Sequence, residues 1–314
     1  MKFREGLGCL ALVGCVALGL MLARAAETRS GSWTITRSET AGMVHFALME
    51  SRNGSHSHDE SDWPLSDFQG LDISKPGRQD VRFTISRDAG KFECEGFLDN
   101  GEGAGIFHFT PQEEFARQMQ SLGFADVDAE KQFAMAVQNV TLEFAREMKG
   151  ERLEGLDADK LIAFRIFGVS RDFVEGIRAA GLNVSDSDKL VAFRIHGVSA
   201  EMIRQLRQAG YQPDADTLVA MRIHGATPEW IGQLRKLGYD HVDLEKLIAF
   251  RIHGVSPEFI QKVQGLGYPH PDPDELIAMR IHGVTPEYIS GLRSRGMQNL
   301  TIDQLISLRI QGID

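Results

Sequence analysis

Cysteine is nearly absent from this 314-residue chain: there are three, and two of them, Cys9 and Cys15, fall within the first 26 residues. Cys94 stands alone in the remainder, so no intrachain disulfide frames it, and a small cross-linked secreted scaffold is excluded. Cys94 sits in an alternating run from Lys91 to Phe97 with no base beside it, and reads as a small buried hydrophobe rather than a nucleophile. Basic residues are in deficit, 34 against 44 acidic, for a net charge of −10. That balance opposes binding to a phosphate backbone, which calls for a basic face. An HExxH zinc helix, a GxSxG elbow and a Gly-rich GK[ST] loop are all missing from the sequence. These absences point to a non-enzymatic protein without a metal or cofactor.

The first 26 residues read as a signal peptide. Lys2 and Arg4 supply the positive start, Leu7 to Leu22 the apolar run, and Ala23-Arg24-Ala25 the small-residue cleavage pattern. The run is shorter than the roughly 20 residues that span a bilayer. The expectation is therefore a periplasmic or secreted protein with no membrane span after processing. Leu12-Val13-Gly14-Cys15 resembles a lipoprotein cleavage box, which makes a lipid anchor at Cys15 the alternative; the apolar run continuing past Cys15 argues against it.

Residues 31–109, within a β domain bounded at 27–109, alternate with period two. Trp33–Thr36, Val44–Leu48, Val81–Ile85, Phe92–Leu98 and Ile106–Phe109 read as strands, and Asp99-Asn100-Gly101 as a hairpin turn. The expectation is a small antiparallel β domain. Gly101, Gly103 and Gly105 read as turn glycines, since no lysine or helix follows to make a phosphate loop. His56-Ser57-His58-Asp59-Glu60 reads as a polar, solvated loop, with metal binding by His56 and His58 as the alternative.

From Leu161 the chain repeats itself: LIAFRIFGVS, LVAFRIHGVS, LVAMRIHGAT, LIAFRIHGVS, LIAMRIHGVT, LISLRIQGID. The arginines Arg165, Arg194, Arg222, Arg251, Arg280 and Arg309 are spaced 29, 28, 29, 29 and 29 residues apart. A fixed period of this size is the signature of stacked repeats, which present extended surfaces to partners. Each unit reads as two short helices. Ser170, Ser199, Thr227, Ser256 and Thr285 cap the first, and Gly181, Gly210, Gly238, Gly267 and Gly296 close it. Asp157, Asp186, Asp214, Asp243, Asp272 and Thr301 open the second, which ends at Gly168, Gly197, Gly225, Gly254, Gly283 and Gly312. The second helix is apolar nearly all round, which predicts a sandwiched inner layer. Gln132–Thr141 aligns as a degenerate copy, and Thr110-Pro111 reads as an earlier helix start. The fold class expected is α+β multidomain: the β domain, then a solenoid of about seven α-helical hairpins over 110–314.

The arginine series reads as a structural ladder pairing with acids two residues before each leucine, such as Asp188, Asp216 and Asp274, and also capping carbonyls. A row of anion sites is the alternative. His196, His224, His253 and His282 stand one repeat apart, about 8–10 Å, so they cannot share one zinc, and capping of helix ends is expected of their imidazoles. Any partner surface is placed on the first helices, on the basic stripe Arg178, Arg207, Arg235, Lys236 and Arg293, with Tyr211, Tyr239 and Tyr268 in the loops beyond. Such a stripe suits another protein or an anionic glycan of the cell envelope.

The block LIAFRIHGVSPEFI…LGY…LIAMRIHGVTPEYI resembles repeats of exported or membrane-tethered bacterial proteins, some fused behind metallopeptidase sensors of the β-lactam antirepressor type. The resemblance implies an envelope protein and, as one alternative, a regulatory or sensor partner of such a peptidase. This chain lacks the peptidase motif, so the activity does not carry over. Gly283-Val284-Thr285-Pro286 is similar to helix-hairpin-helix modules and gives a second alternative, a nucleic-acid binder, although a Ser or Thr replaces the glycine that lets those modules approach phosphate. The reading preferred is a binding or scaffolding protein.

Overall fold

The computed structural model describes residues 28–52 and 55–313, with side chains omitted at 51–56. The leader read at 1–26, the anchor at Cys15 and the side chain of His56 therefore lie outside the described residues.

Period-two alternation builds one curled antiparallel sheet of seven strands: β1 Arg29–Arg37, β2 Met43–Arg52, β3 Ser55–Pro64, β4 Phe68–Gln69, β5 Arg78–Arg87, β6 Gly90–Asp99 and β7 Glu102–Pro111, in the order β3-β2-β1-β7-β6-β5-β4. Trp63 closes β3 and meets Phe68 of the opposite edge strand with ring centroids 6.3 Å apart, so the curl brings the two edges together at one end. Trp33, Phe46, Phe83, Phe92, Phe107 and Phe109 fill the inside. Gly96 and Gly105 lie opposite each other beneath Trp33: a Cβ at either would collide with the paired strand's Ala104 or Glu95 carbonyl and stand 2.8 or 2.7 Å from the indole, whose Nε1 donates to the Ile106 carbonyl at 3.0 Å. Only Gly101, at φ +88°, serves the hairpin turn; Gly103 and Gly105 are strand residues, which corrects the reading of all three as turn glycines.

The polar stretch His56–Glu60 is strand, not loop. Its register against β2 (His58 opposite Met49, Asp62 opposite His45) makes β3 an edge strand wet on most of its length, with Trp63 its buried residue. Likewise Thr110-Pro111 ends β7 instead of opening a helix.

Fourteen helices follow among the described residues. The odd-numbered ones are α1 Glu113–Ser121, α3 Leu142–Gly150, α5 Arg171–Ala179, α7 Ala200–Gln208, α9 Pro228–Arg235, α11 Pro257–Gly265 and α13 Pro286–Ser294. The even-numbered ones are α2 Ala129–Val137, α4 Ala158–Phe167, α6 Ser187–His196, α8 Ala215–His224, α10 Leu244–His253, α12 Pro273–Ile281 and α14 Ile302–Ile310. Ser170, Ser199, Thr227, Ser256 and Thr285 each accept a backbone N–H from the first turn of the helix they open. Asp157, Asp186, Asp214, Asp272 and Thr301 do the same for even helices, whereas Asp243 stands at its cap without such a bond. The stop is glycine: Gly168 takes φ +71°, and Val169 N–H closes back onto the Phe164 carbonyl at 2.8 Å.

Each even helix lies against the next even helix from α2 to α14, and odd helices approach odd ones. Leu247, Phe250 and Val255 of one unit are wholly buried, as are their counterparts from α4 to α12; in the last unit Leu305 is buried, Leu308 half-buried and Ile313 exposed. The first even helix departs from this pattern. Phe133 of α2 enters the sheet and meets Phe92, Phe107 and Phe109 at 5.8, 6.0 and 5.3 Å between ring centroids.

Candidate interaction surface

Every unit is strapped to the next by side chains that reach across one repeat. Arg165, Arg194, Arg222, Arg251 and Arg280 donate from Nε to the carbonyls of Gln138, Phe167, His196, His224 and His253 at 3.1, 2.9, 2.9, 3.1 and 3.3 Å. These carbonyls sit at the C-terminal ends of the preceding even helices, where a cation also meets the negative end of the dipole. The guanidinium lies over an aromatic ring of the preceding odd helix: Arg194 over Phe173 at 5.0 Å, Arg251 over Trp230 at 5.2 Å, Arg309 over Tyr288 at 4.9 Å. The acids expected to pair with these arginines turn elsewhere. Asp159, Asp188, Asp216 and Asp274 take Lys131, Lys160, Lys189 and Lys246 of the preceding unit. The hydrogen bond holds Lys160, Lys189 and Lys246 above their usual pKa, and Lys131 is raised first by its bond to Asp126 and then by Asp159. A lysine is the shorter reach from the preceding helix, and the arginine is already engaged. Among the described residues the imidazoles of His196, His224, His253 and His282 make no hydrogen bond to a helix-end carbonyl, and arginine instead takes the backbone carbonyls of His196, His224 and His253.

The basic stripe of the odd helices forms a further strap. Arg178 bonds the carboxylate and carbonyl of Glu151, Arg207 the Gly181 carbonyl at 3.0 Å, Arg235 the Ala209 carbonyl, and Arg293 the Leu266 carbonyl. Gln264 fills the same slot with the same bond, to Leu237 at 3.3 Å. Arg235 and Arg293 also cover Tyr211 and Tyr268. Those tyrosines reach forward in turn: Tyr211, Tyr239 and Tyr268 donate to the carbonyls of Val242, Pro271 and Leu300. Of the stripe put forward for a partner, Lys236 stands exposed at the C-cap of α9, and among the described residues no strap includes it. The arginines and tyrosines are spent on stacking the units.

The open surface lies on the other layer. Ile166, Ile195, Ile223, Ile252, Ile281 and Ile310 are between 53% and 63% exposed, one in each even helix from α4 to α14. This overturns the sandwiched inner layer. Even helices lie against their even neighbours and bury their Leu–Phe side, but beyond the junction at α4 no described residue covers the side that carries these isoleucines. Ile162, Val191, Val219, Ile248, Ile277 and Ile306, one turn earlier, are half-buried beside the row. In α2 the corresponding slots hold Phe133 and Val137, and there the sheet supplies the cover: Val137 is 8% exposed. One face of the even layer is thus occupied by the chain's own β sheet in the first unit and open in the six that follow. At the junction Ile162 and Ile166 share a cleft with Asp59 of β3 and the Arg29–Glu50 ion pair. Burial, then the neighbouring Glu50, raises the Asp59 carboxyl above its ordinary range. Composition alone hid this row, because a helix apolar on every side does not mark which side is bare.

On the outer face of β2 and β3, His58 bonds Glu60 at 2.9 Å and His45 bonds Asp62 at 3.2 Å. His58 lowers the Glu60 pKa; Ser38 first, then His45, lowers that of Asp62. Among the described residues no group of three or more His, Cys, Asp or Glu side chains has the geometry to hold a metal ion. Cys94 is buried, and desolvation pushes its thiol far up from its usual value. No described helix is long and apolar enough to cross a membrane.

Comparison with family models, with curated proteins and with solved structures finds no match to this chain.

Proposed function

We propose that the chain is a non-enzymatic binding or scaffolding protein of the bacterial envelope. In this reading residues 27–109 form a β domain, and residues 110–314 stack seven hairpins as a solenoid that offers its even-helix face to another protein. The straps support the stacking, since each runs from one unit to the next at sequence separations of 26 to 32 residues. Even helices approach one another more closely than odd ones, which fits an array curved toward the even face, the side on which repeat proteins hold partners.

The observation that carries the reading is the row of six isoleucines, each more than half exposed at the same slot of successive units. Scattered surface hydrophobes need no explanation, but a contiguous row does. Burying the open half of each would contribute about 1 kcal/mol, so the row offers roughly 6 kcal/mol before the cost of association. A photo-crosslinking amino acid at position 223, introduced in the producing cells, tests this directly. The expected result is a discrete protein adduct. Adducts formed only from a β-domain position such as 106 would move the binding function off the repeats.

A further inference from the structure

We infer that the occupant of the isoleucine row is a single amphipathic α-helix of about 30 residues, apolar along one stripe and acidic on the flank that meets the arginines. The inference rests on the reading of the even face as a binding surface and adds the chemistry of what binds there.

Backbone satisfaction decides between helix and strand. The floor of the row is made of helices whose backbone groups are paired internally or taken by arginine at their ends. A strand laid on it would bury unpaired N–H and C=O groups, each costing about 1–3 kcal/mol, whereas a helix brings its backbone already paired. Spacing agrees. Packed helices stand about 8–10 Å apart, and seven helical residues rise about 10.5 Å, so one heptad advances nearly one repeat. A strand advances about 6.8 Å between side chains on the same face, and falls out of step with the row. Five steps between Ile166 and Ile310 span about 40–50 Å, the length of roughly 30 helical residues.

Two lines of charge flank the row. At the N-terminal ends of the even helices run Asp188, Asp216, Glu245 and Asp274, largely matched by lysines. At the C-terminal ends Arg194, Arg222 and Arg251 remain exposed on their outer sides while bonding carbonyls. A helix with acidic residues on the arginine flank is complementary to this face, while the opposite flank is largely neutralised by its own lysines. The first unit shows that the face accepts an apolar cover, since the sheet already seats on Phe133 and Val137 there.

A display library with two arms tests the proposal: 30-residue sequences with heptad apolar pattern, and 12-residue sequences with alternating pattern. It is panned on the full chain and counter-selected on Ile195→Glu/Ile223→Glu/Ile252→Glu. The side chains are half in water, so the variant is expected to keep its helical circular dichroism and melting temperature. The inference expects enrichment from the heptad arm alone, with at least tenfold weaker retention on the variant. Enrichment from the alternating arm, equal retention on the variant, or no enrichment in either arm overturns it. A wild-type chain that elutes as a dimer and becomes monomeric in the variant also overturns it, because a second copy then fills the row. If position 223 crosslinks to a protein in cells while the heptad arm fails, the helix is wrong and the binding face stands.

Discussion

At the scale of single residues, the arginine ladder was legible in the spacing of Arg165 to Arg309, but its acceptors were not, because a backbone carbonyl leaves no mark in a sequence. The acceptor sets the energy. Arg251 is exposed, bonds the His224 carbonyl and lies over Trp230. Arg251→Ala should therefore cost about 1–2 kcal/mol in urea unfolding, well below the loss expected when a buried ion pair is broken. Gln132 makes the opposite case. It is 5% exposed, its Oε1 has no partner among the described residues, and it occupies the slot where later units bury Leu161, Leu190, Leu218, Leu247 and Leu276. Gln132→Leu removes an unpaired polar atom from the core and should stabilise by about 1 kcal/mol, read as a raised urea midpoint at unchanged slope. Tyr239 is buried with its hydroxyl on the Pro271 carbonyl, and burial pushes its pKa from 10.0 to about 12. Its folded-state pKa is raised, so its contribution is whole below about pH 10 and is lost as pH climbs toward 12. Ultraviolet titration of the four tyrosines should show one ionising late, and Tyr239→Phe should abolish that late step.

At the scale of elements, starts and stops could be read and faces could not. Hydroxyl and acid caps and their glycines name the helix ends because capping is local chemistry. Asp243 and Asp214 look alike in sequence, yet only Asp214 accepts a first-turn N–H, from Thr217 at 2.7 Å. Asp214→Ala should cost about 1 kcal/mol, and Asp243→Ala should stay within about 0.5 kcal/mol of the parent, both by chemical denaturation. Equal losses would mean the dipole, not the hydrogen bond, is what the acid supplies. β3 escaped the sequence because both its faces are polar; pairing with β2, rather than its own alternation, makes it a strand. The even helices failed in the opposite sense. Leu, Ile, Ala, Phe and Ile in close succession carry no polar stripe, so nothing local separates Leu247, at the core, from Ile252, in water.

At the scale of the whole molecule, a solenoid stacked as proposed would lose stability unit by unit instead of all at once. The junction of sheet and repeats is where this is most sharply tested. Phe133 joins them: its ring meets three phenylalanines of the sheet, and Arg29 stacks on it at 4.5 Å. Phe133→Ala opens a cavity there and should cost about 3–5 kcal/mol locally. In a linear array that loss reaches distant units only through every intervening interface, and is diluted at each. Hydrogen exchange should therefore quicken in α2, β6 and β7, weaken in effect by α6, and leave α12 at its wild-type rate. A chain ending at Gly283 gives the converse, with β6 and β7 unchanged and α12, newly terminal, exchanging faster. Uniform loss of protection from β1 to α14 in either variant would mean that one cooperative core holds the chain together, and the isoleucine row would then have to be understood as the bare side of that core.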